Sequence, residues 1–205
     1  MARDRSPIVK QSRREGYALH PKAHKIMAKK TSIPGAHGRG RQSKPSLYAI
    51  QLREKQKVRR TYGLLEKQFS KLMKEATRGK GQAGEVLLAY LERRLDNVVY
   101  RAGFATSRRG ARQLTGHGHL MLNGRRVDIP SIRVKEGDII TVRPKSTKNA
   151  YFAQLDKVTA DASPVSLSWL KSDHKKMTIT ITGLPKREEA EPEINEQLIV
   201  EYYSR

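Results

Sequence analysis

The stretch "TSRRGARQLTGHGHLMLNGRRV", residues 106–127, changes its hydrophobic period halfway along. In its first half, Ala111 and Leu114 fall on one side of a short helix that begins at Thr106 or Ser107 and reaches Thr115. Arg108 and Arg112 then stand one turn apart, with Arg109 beside them. In its second half, "HLML" and "RRV" flank Asn123-Gly124. An Asn-Gly pair between alternating runs is the strongest short-range hairpin signal, because both turn residues must accept positive φ. A helix running into a hairpin, with arginines on both, predicts an α+β module with a cationic face.

Further strands follow in "IRV", a Gly137-Asp138 turn and "IITVR". A helix near residues 150–158, then "WL" and the alternating "MTITIT", lead through the acidic linker "KREEAEPE" to a final helix, "INEQLIVEYY". Upstream, Ser46 is placed as the N-cap of a helix through "LYAIQLREKQKVRR". Residues 63–76 put Leu64, Leu65, Phe69, Leu72 and Met73 at helical spacing. Residues 85–101 put Leu87, Leu88, Leu91, Leu95, Val98 and Val99 on one face of a single helix that stops at Gly103. Residues 1–44 read as loop, too polar to offset the entropy of ordering without a partner.

The expected architecture is α+β: a mainly helical domain plus a small module of short helices packed on an antiparallel sheet. Its expected divisions are a basic extension at 1–44, a helical domain at 45–93 joined by the C-terminal helix at 194–205, a helix-hairpin module at 94–150, and the rest of the α+β domain at 151–193.

Composition narrows the partner. The 205 residues carry 42 lysines and arginines against 20 acids, a net charge of +22. The excess is uneven: residues 1–60 hold 17 cations against three acids, whereas residues 146–205 hold eight against nine. Such a field attracts nucleic acid or an anionic membrane, and here it confines the polyanion to the N-terminal and central parts. Membrane is the weaker alternative, because no bulky apolar face accompanies the basic residues. The longest apolar run, "VLLAYL" at 86–91, falls far short of the ~20 residues that span a bilayer. The N-terminus "MARDRSPIVK" has no secretory apolar stretch. With no cysteine, disulfides, thiol catalysis and Cys-based zinc sites are excluded.

Other motifs carry less. "GKGQAG" at 79–84 fits the dinucleotide pattern in letters, but a helix precedes it and no acid stands at the usual offset, so it reads as a helix connector. His20 and His24 share a helical spacing, and His117 and His119 alternate, yet no cysteine or nearby acid completes a four-ligand metal set. Asp96 in "RRLDN" is the best candidate for a catalytic acid or base, since an Arg-Leu-Asp triplet also occurs in pseudouridine synthases. The alternative is that Asp96 pairs with Arg93, Arg94 or Arg101, or caps a turn. No catalytic residue, metal or cofactor is therefore expected, and no small-molecule substrate.

The cationic arrays differ in kind. Arg108, Arg109 and Arg112 on the helix, with Arg125 and Arg126 leaving the hairpin turn, form one. "REKQKVRR" supplies a second from Arg53, Lys55, Lys57, Arg59 and Arg60, with Tyr48 and Tyr62 flanking for stacking. Guanidinium groups on a rigid scaffold fork onto phosphate oxygens. Dispersed patches without half-site symmetry favour a folded RNA over DNA. An RNA-modifying enzyme and a DNA-binding nucleoid protein remain as alternatives.

Several segments together resemble the bacterial-type small-subunit ribosomal protein four family. They are "SRREG" at 12–16, "PGAHG" at 34–38, "QLREKQKVRRTYG" at 51–63, "GEVLLAYLERRLDNVVYRAGFATSRRGARQL" at 84–114, "LNGRRVDIPSIRVKEGD" at 122–138 and "INEQLIVEYYS" at 194–204. The resemblance implies a non-enzymatic, cytoplasmic protein of the small subunit of a bacterial-type ribosome. Such a protein grips a helical junction in the 5′ domain of small-subunit rRNA and helps nucleate the subunit body. It implies contact with mRNA where the message enters and with ribosomal protein five, an interface tied to accuracy.

Transferred by position, the resemblance adds Arg13, Arg14, Gly35, His37 and Gly38 to the RNA-binding set, with Arg39 and Lys44 nearby. It adds Arg93, Arg94 and Asn123 to the central array. The C-terminal helix becomes the protein-facing element through Ile194, Asn195, Leu198, Ile199, Tyr202 and Tyr203. The sequence departs from relatives that hold the N-terminal loop with four cysteines around zinc; Val9 and Ser12 stand at the early positions here. Gly110, in the middle of the arginine helix, costs about 1 kcal/mol relative to alanine.

Overall fold

Ser46 begins a helix in the way its position suggests: its hydroxyl accepts from the Ala49 backbone N–H at 3.3 Å and opens α3, Leu47–Thr61. In the computed structural model, which describes residues 4–40, 43–159 and 167–204, the chain divides into two units. One comprises Met1–Leu87 with Glu191–Arg205, and the other Leu88–Ala190.

The first unit is helical. Ahead of α3 come α1, Ile8–Glu15, and α2, Pro21–Lys29. Much of the stretch expected to be loop is therefore helix, and local chemistry explains it. Gly16 closes α1 in the left-handed conformation at φ 64°. Pro21 occupies the first turn of α2, where its missing N–H costs nothing, and His20 caps it by accepting from Lys22 N. The low apolar content hid a small buried set: Ser12, Leu19 and Ala23. Glu15 then ties α1 to α3 by ion pairs with Arg53 at 3.2 Å and with Arg60.

Gly63, at φ 66°, turns the chain before α4, Glu66–Arg78, and α5, Ala83–Glu92, follows. The last helix, α11, Glu196–Tyr203, is capped by Asn195 and packs on α3. Ile199 and Ile194 are buried in this unit with Val58, Leu64, Phe69 and Met73. Polar bonds complete the seam: Gln51 donates to Glu201 at 2.8 Å, and Tyr203 and Lys55 both donate to Glu66, at 2.7 and 2.8 Å.

Glu66 gives this seam a pH dependence. Burial alone would raise its carboxyl above the ordinary 4.5, but hydrogen bonds from Lys55 and Tyr203 and the charges of Lys55 and Arg59 outweigh it and hold the group below that value. A depressed carboxyl stabilises the fold above its unfolded pKa and loses that contribution as pH falls through the folded one. The Tm difference between wild type and Glu66→Gln is expected to shrink as pH is lowered below 4.5. The carboxylate is half exposed, so the difference at neutral pH corresponds to only about 0.5–1 kcal/mol. A constant difference across that range would remove Glu66 from the seam.

The second unit holds the hairpin. Asn123 and Gly124 have φ of 49° and 78°, as the Asn-Gly signal requires. They join β1, Leu120–Leu122, to β2, Arg125–Val127. With β3, Ile139–Val142, β4, Leu170–Asp173, and β5, Thr178–Ile181, these form a five-stranded antiparallel sheet ordered β2-β1-β3-β5-β4. The sheet runs through residue 150: β5 pairs directly with β3, Ile140 opposite Ile179. The expected "IRV" strand is reduced to one bridge, Arg94 to Arg133. Among the described residues between β3 and β4 lie three short helices, α8 Pro144–Thr147, α9 Ala150–Ala153 and α10 Leu155–Thr159.

The helix expected over 85–101 is two. After α5 the chain extends at Arg94 and resumes as α6, Leu95–Arg101. The break is held by backbone bonds, Leu95 N to Ile132 O at 2.8 Å and Val134 N to Arg93 O at 2.9 Å. Leu95, Val98 and Val99 of α6 and Ala111 of α7, Arg108–Gly116, share a core with Phe104, Leu120, Ile140, Trp169, Ile179 and Ile181.

Candidate nucleic-acid interface

Ser107 starts α7 as an N-cap, its hydroxyl accepting from Gly110 N at 3.2 Å. Ala111 and Thr115 are buried, which fixes the rotation of the helix and turns Arg109 outward. Arg108 and Arg112 are half-buried and anchored on α6. Arg108 Nε donates to Asn97 Oδ1 at 2.8 Å, and its guanidinium lies 4.6 Å over the Tyr100 ring. Arg112 Nη1 donates to Asp96 Oδ2 at 3.1 Å. A Cβ on Gly110 would meet Ser107 Oγ at 3.4 Å and Ala105 Cβ at 3.7 Å, ordinary contacts, so internal packing does not demand a glycine there.

The hairpin supplies two further cations, Arg125 and Arg126, both exposed. Side chains alternate along a strand, so Arg125 and Arg126 point to opposite faces. Arg126 sits opposite Met121 and lies over Gly118, where an added Cβ would fall 2.6 Å from its Nε. That guanidinium ends a flexible, exposed side chain that a Cβ would simply displace, so it is the φ of 69° at Gly118 that favours a glycine there. Asn123 does structural work: it donates to Asp138 at 2.8 Å and accepts from Ile139 N at 2.9 Å, pinning the turn to β3.

Asp96 is 5% exposed and locked. Arg94 forks onto it, Nε to Oδ1 at 3.0 Å and Nη2 to Oδ2 at 2.8 Å, Arg112 adds a third bond, and Asn97 N donates to Oδ1. A carboxylate saturated in this way has the ion-pair role, and its partners are Arg94 and Arg112. Arg94, expected among the RNA contacts, is equally buried and bonded to Asp96. Arg93 Nε donates to Val134 O at 2.9 Å.

His119 Nδ1 lies 2.9 Å from Ser146 Oγ, and the ring packs edge-on against Phe152. Burial, then the neighbouring His117 and Arg143, hold its imidazole below the ordinary pKa and therefore neutral at pH 7. Among the described residues no three His, Asp or Glu side chains converge as a metal site.

The other array lies in the first unit, and its cations have partners within that unit. Lys55 is 3% exposed and bonded to Glu66. Arg53 and Arg60 pair with Glu15, Lys57 donates to Glu193 O at 2.6 Å, and Arg59 donates to Gln56 and Leu64 O. Arg13 and Arg14 hold the following loop through Ser32 O and Pro34 O. Gly35 and Gly38 shape a tight turn there, with His37 and Arg39 exposed beside it, and Lys44 is exposed further on. Tyr62 is buried and unavailable for stacking. Tyr48 is exposed beside exposed Leu47 and Ile50, its ring 5.8 Å from Tyr202. On α11, Ile194 and Ile199 fill their own core, Asn195 caps the helix and Tyr203 bonds Glu66, leaving Leu198 and Tyr202 partly exposed. The seam on α3 is what buries the two isoleucines expected on the protein-facing side.

No helix among the described residues is long and apolar enough to cross a membrane. Residues 3–92 match the family described as ribosomal protein S4/S9 N-terminal domain, and residues 93–140 match the S4 domain. The small ribosomal subunit protein uS4 of Syntrophomonas wolfei subsp. wolfei is 49% identical over 211 residues, covering 100% of both chains. The proteins of the same name from Chlorobium phaeovibrioides and Roseiflexus sp. (strain RS-1) are 49% and 48% identical, again over 100% of both chains. With likeness at this level running from end to end, the chain belongs to the small ribosomal subunit protein uS4 family.

Proposed function

We propose that this chain is a structural, non-enzymatic component of the small ribosomal subunit in the cytoplasm, and that it acts by gripping a helical junction in the 5′ domain of the rRNA. The observation that carries the reading is the arginine face of α7, where Arg108, Arg109 and Arg112 are presented from a capped, buried-side helix with Arg126 seated at its far end. Cations fixed in this way meet phosphates at a smaller entropic cost than flexible ones. The net charge of +22 supplies long-range attraction. Arg125 on the edge strand adds to this unit's contacts, and Arg39, Lys44 and His37 give the other unit phosphate contacts of its own. Gripping the junction early would nucleate folding of the subunit body.

The apolar cluster of Leu47, Tyr48 and Ile50 beside Tyr202 is the surface we assign to a neighbouring ribosomal protein, protein five, close to where mRNA enters. It lacks the charge that a phosphate surface needs, and exposed apolar groups of this kind mark protein contacts.

The test is affinity for a 5′-domain junction transcript. Changing Arg108 and Arg112 together to Ala is expected to cost about 2–4 kcal/mol, since charge-assisted hydrogen bonds are worth roughly twice neutral ones. Duplex DNA in excess should fail to displace the transcript. Unchanged affinity would leave the face merely solvated, and displacement by DNA would favour a nucleoid role.

A further inference from the structure

Two buried groups behind the arginine face have a role that neither catalysis nor packing requires. Glu92 and Asn97 are 1% and 2% exposed. The Glu92 carboxylate is gripped by Arg101 at both oxygens, Nε to Oε2 at 3.0 Å and Nη2 to Oε1 at 2.8 Å. Asn97 spends both amide hydrogens on the same residue, Nδ2 reaching Glu92 Oε2 at 2.7 Å and Glu92 O at 3.1 Å. Its amide oxygen is thereby forced toward α7, where Arg108 Nε donates to it at 2.8 Å.

The direction of this chain is set by chemistry. Turning the Asn97 amide over would place its oxygen against a carboxylate and its NH2 against an N–H donor, two repulsions in place of three bonds. An aspartate at 97 would set two carboxylates against each other, and an alanine would leave Arg108 Nε without this acceptor. Tyr100 closes the other side, 4.6 Å beneath the guanidinium. An arginine otherwise loses rotamer freedom when it meets a phosphate; here much of that loss is taken on folding.

We infer that Asn97, oriented by Glu92, is a positioning residue that fixes the Arg108 guanidinium for an RNA phosphate. This rests on the rRNA-binding reading of the α7 face.

A double-mutant cycle tests it, using the full chain and the 5′-domain junction transcript. Arg108→Ala alone should weaken binding and flatten the salt dependence. Asn97→Ala should weaken binding by up to about tenfold, the worth of one immobilised side chain. In the Arg108→Ala background it should have no further effect. Arg101 still holds Glu92 in that variant, so its melting temperature should leave it folded at the assay temperature. An equal loss in both backgrounds would make Asn97 a general structural residue and overturn the inference while leaving the function standing. No loss from Arg108→Ala would instead remove that arginine from the interface, and the inference with it. Should Asn97→Ala not fold, Glu92→Gln serves in the same cycle. Failure of both to fold would assign the pair to folding and likewise overturn the inference.

Discussion

Replacing Asp96 by Ala is expected to destabilise the Leu88–Ala190 unit by about 3–5 kcal/mol. The reason is the state in which it leaves Arg94. That guanidinium is 5% exposed and forks onto Asp96 with bonds of 3.0 and 2.8 Å, so truncation strands a positive charge inside the unit. Arg112 loses its carboxylate bond and Asn97 N its acceptor in the same step. Urea unfolding at neutral pH measures the cost. Asp96→Asn should cost less, because the amide keeps the shape and one acceptor oxygen. Asp96→Ala with unchanged stability would refute the ion-pair role and restore interest in Asp96 as a reactive group. Loss of rRNA affinity should follow loss of the folded unit, with no separate chemical defect.

Elements written in local chemistry were legible. Asn123-Gly124 gave its hairpin, Ser46 its cap and Thr106 or Ser107 the start of α7, because each depends on residues within a few positions. Two features depended on distant partners and were not. The break at Arg94 interrupts an apolar pattern that suits a continuous helix, and it exists because residues 132–134 bond the backbone there. Residues 1–44 looked too polar to fold, yet Glu15 pairing with Arg53 and Arg60 holds α1 on α3. An acid in so basic a stretch was the visible clue.

The candidate site was legible in charge and less so in direction. Composition shows where the cations are, but of the carboxylates of the same chain that claim them it suggested only Asp96. Lys55 went inward because the turn at Gly63 brings Glu66, eleven residues on, against it, whereas Asp96 stands two residues from Arg94 and that pairing was one of the alternatives read from sequence. Arg125 and Arg126 differ in the strand face they take, and sequence supplied that alternation but not which face lies beside α7. On α11, Ile194 and Ile199 read as a contact surface because the sequence does not show that α3 already covers them.

Raising monovalent salt from about 50 to about 200 mM is expected to lower rRNA affinity by about 10³-fold or more, if the chain neutralises roughly six to ten phosphates. The internal pairings bear on this count. Cations held by Glu15, Glu66 and Glu92, and Arg94 buried on Asp96, release few counterions, so the slope must come from Arg108 and Arg112 on the α7 face and from the exposed cations. Arg109, Arg125, Arg126, Lys135, Lys145 and Lys148 in one unit, and Lys22, Lys25, Arg39 and Lys44 in the other, are exposed and numerous enough. Arg109→Ala and Arg126→Ala should each reduce the slope of log affinity against log salt by about 0.9, the value for a duplex phosphate. Lys55→Met should leave the slope alone while lowering the melting temperature, because its charge is already spent on Glu66. A flat salt response would sink the polyanion reading. A Lys55 effect on slope equal to that of Arg109 would show that the internal ion pairs open on binding, making the RNA itself the competitor for those carboxylates' partners.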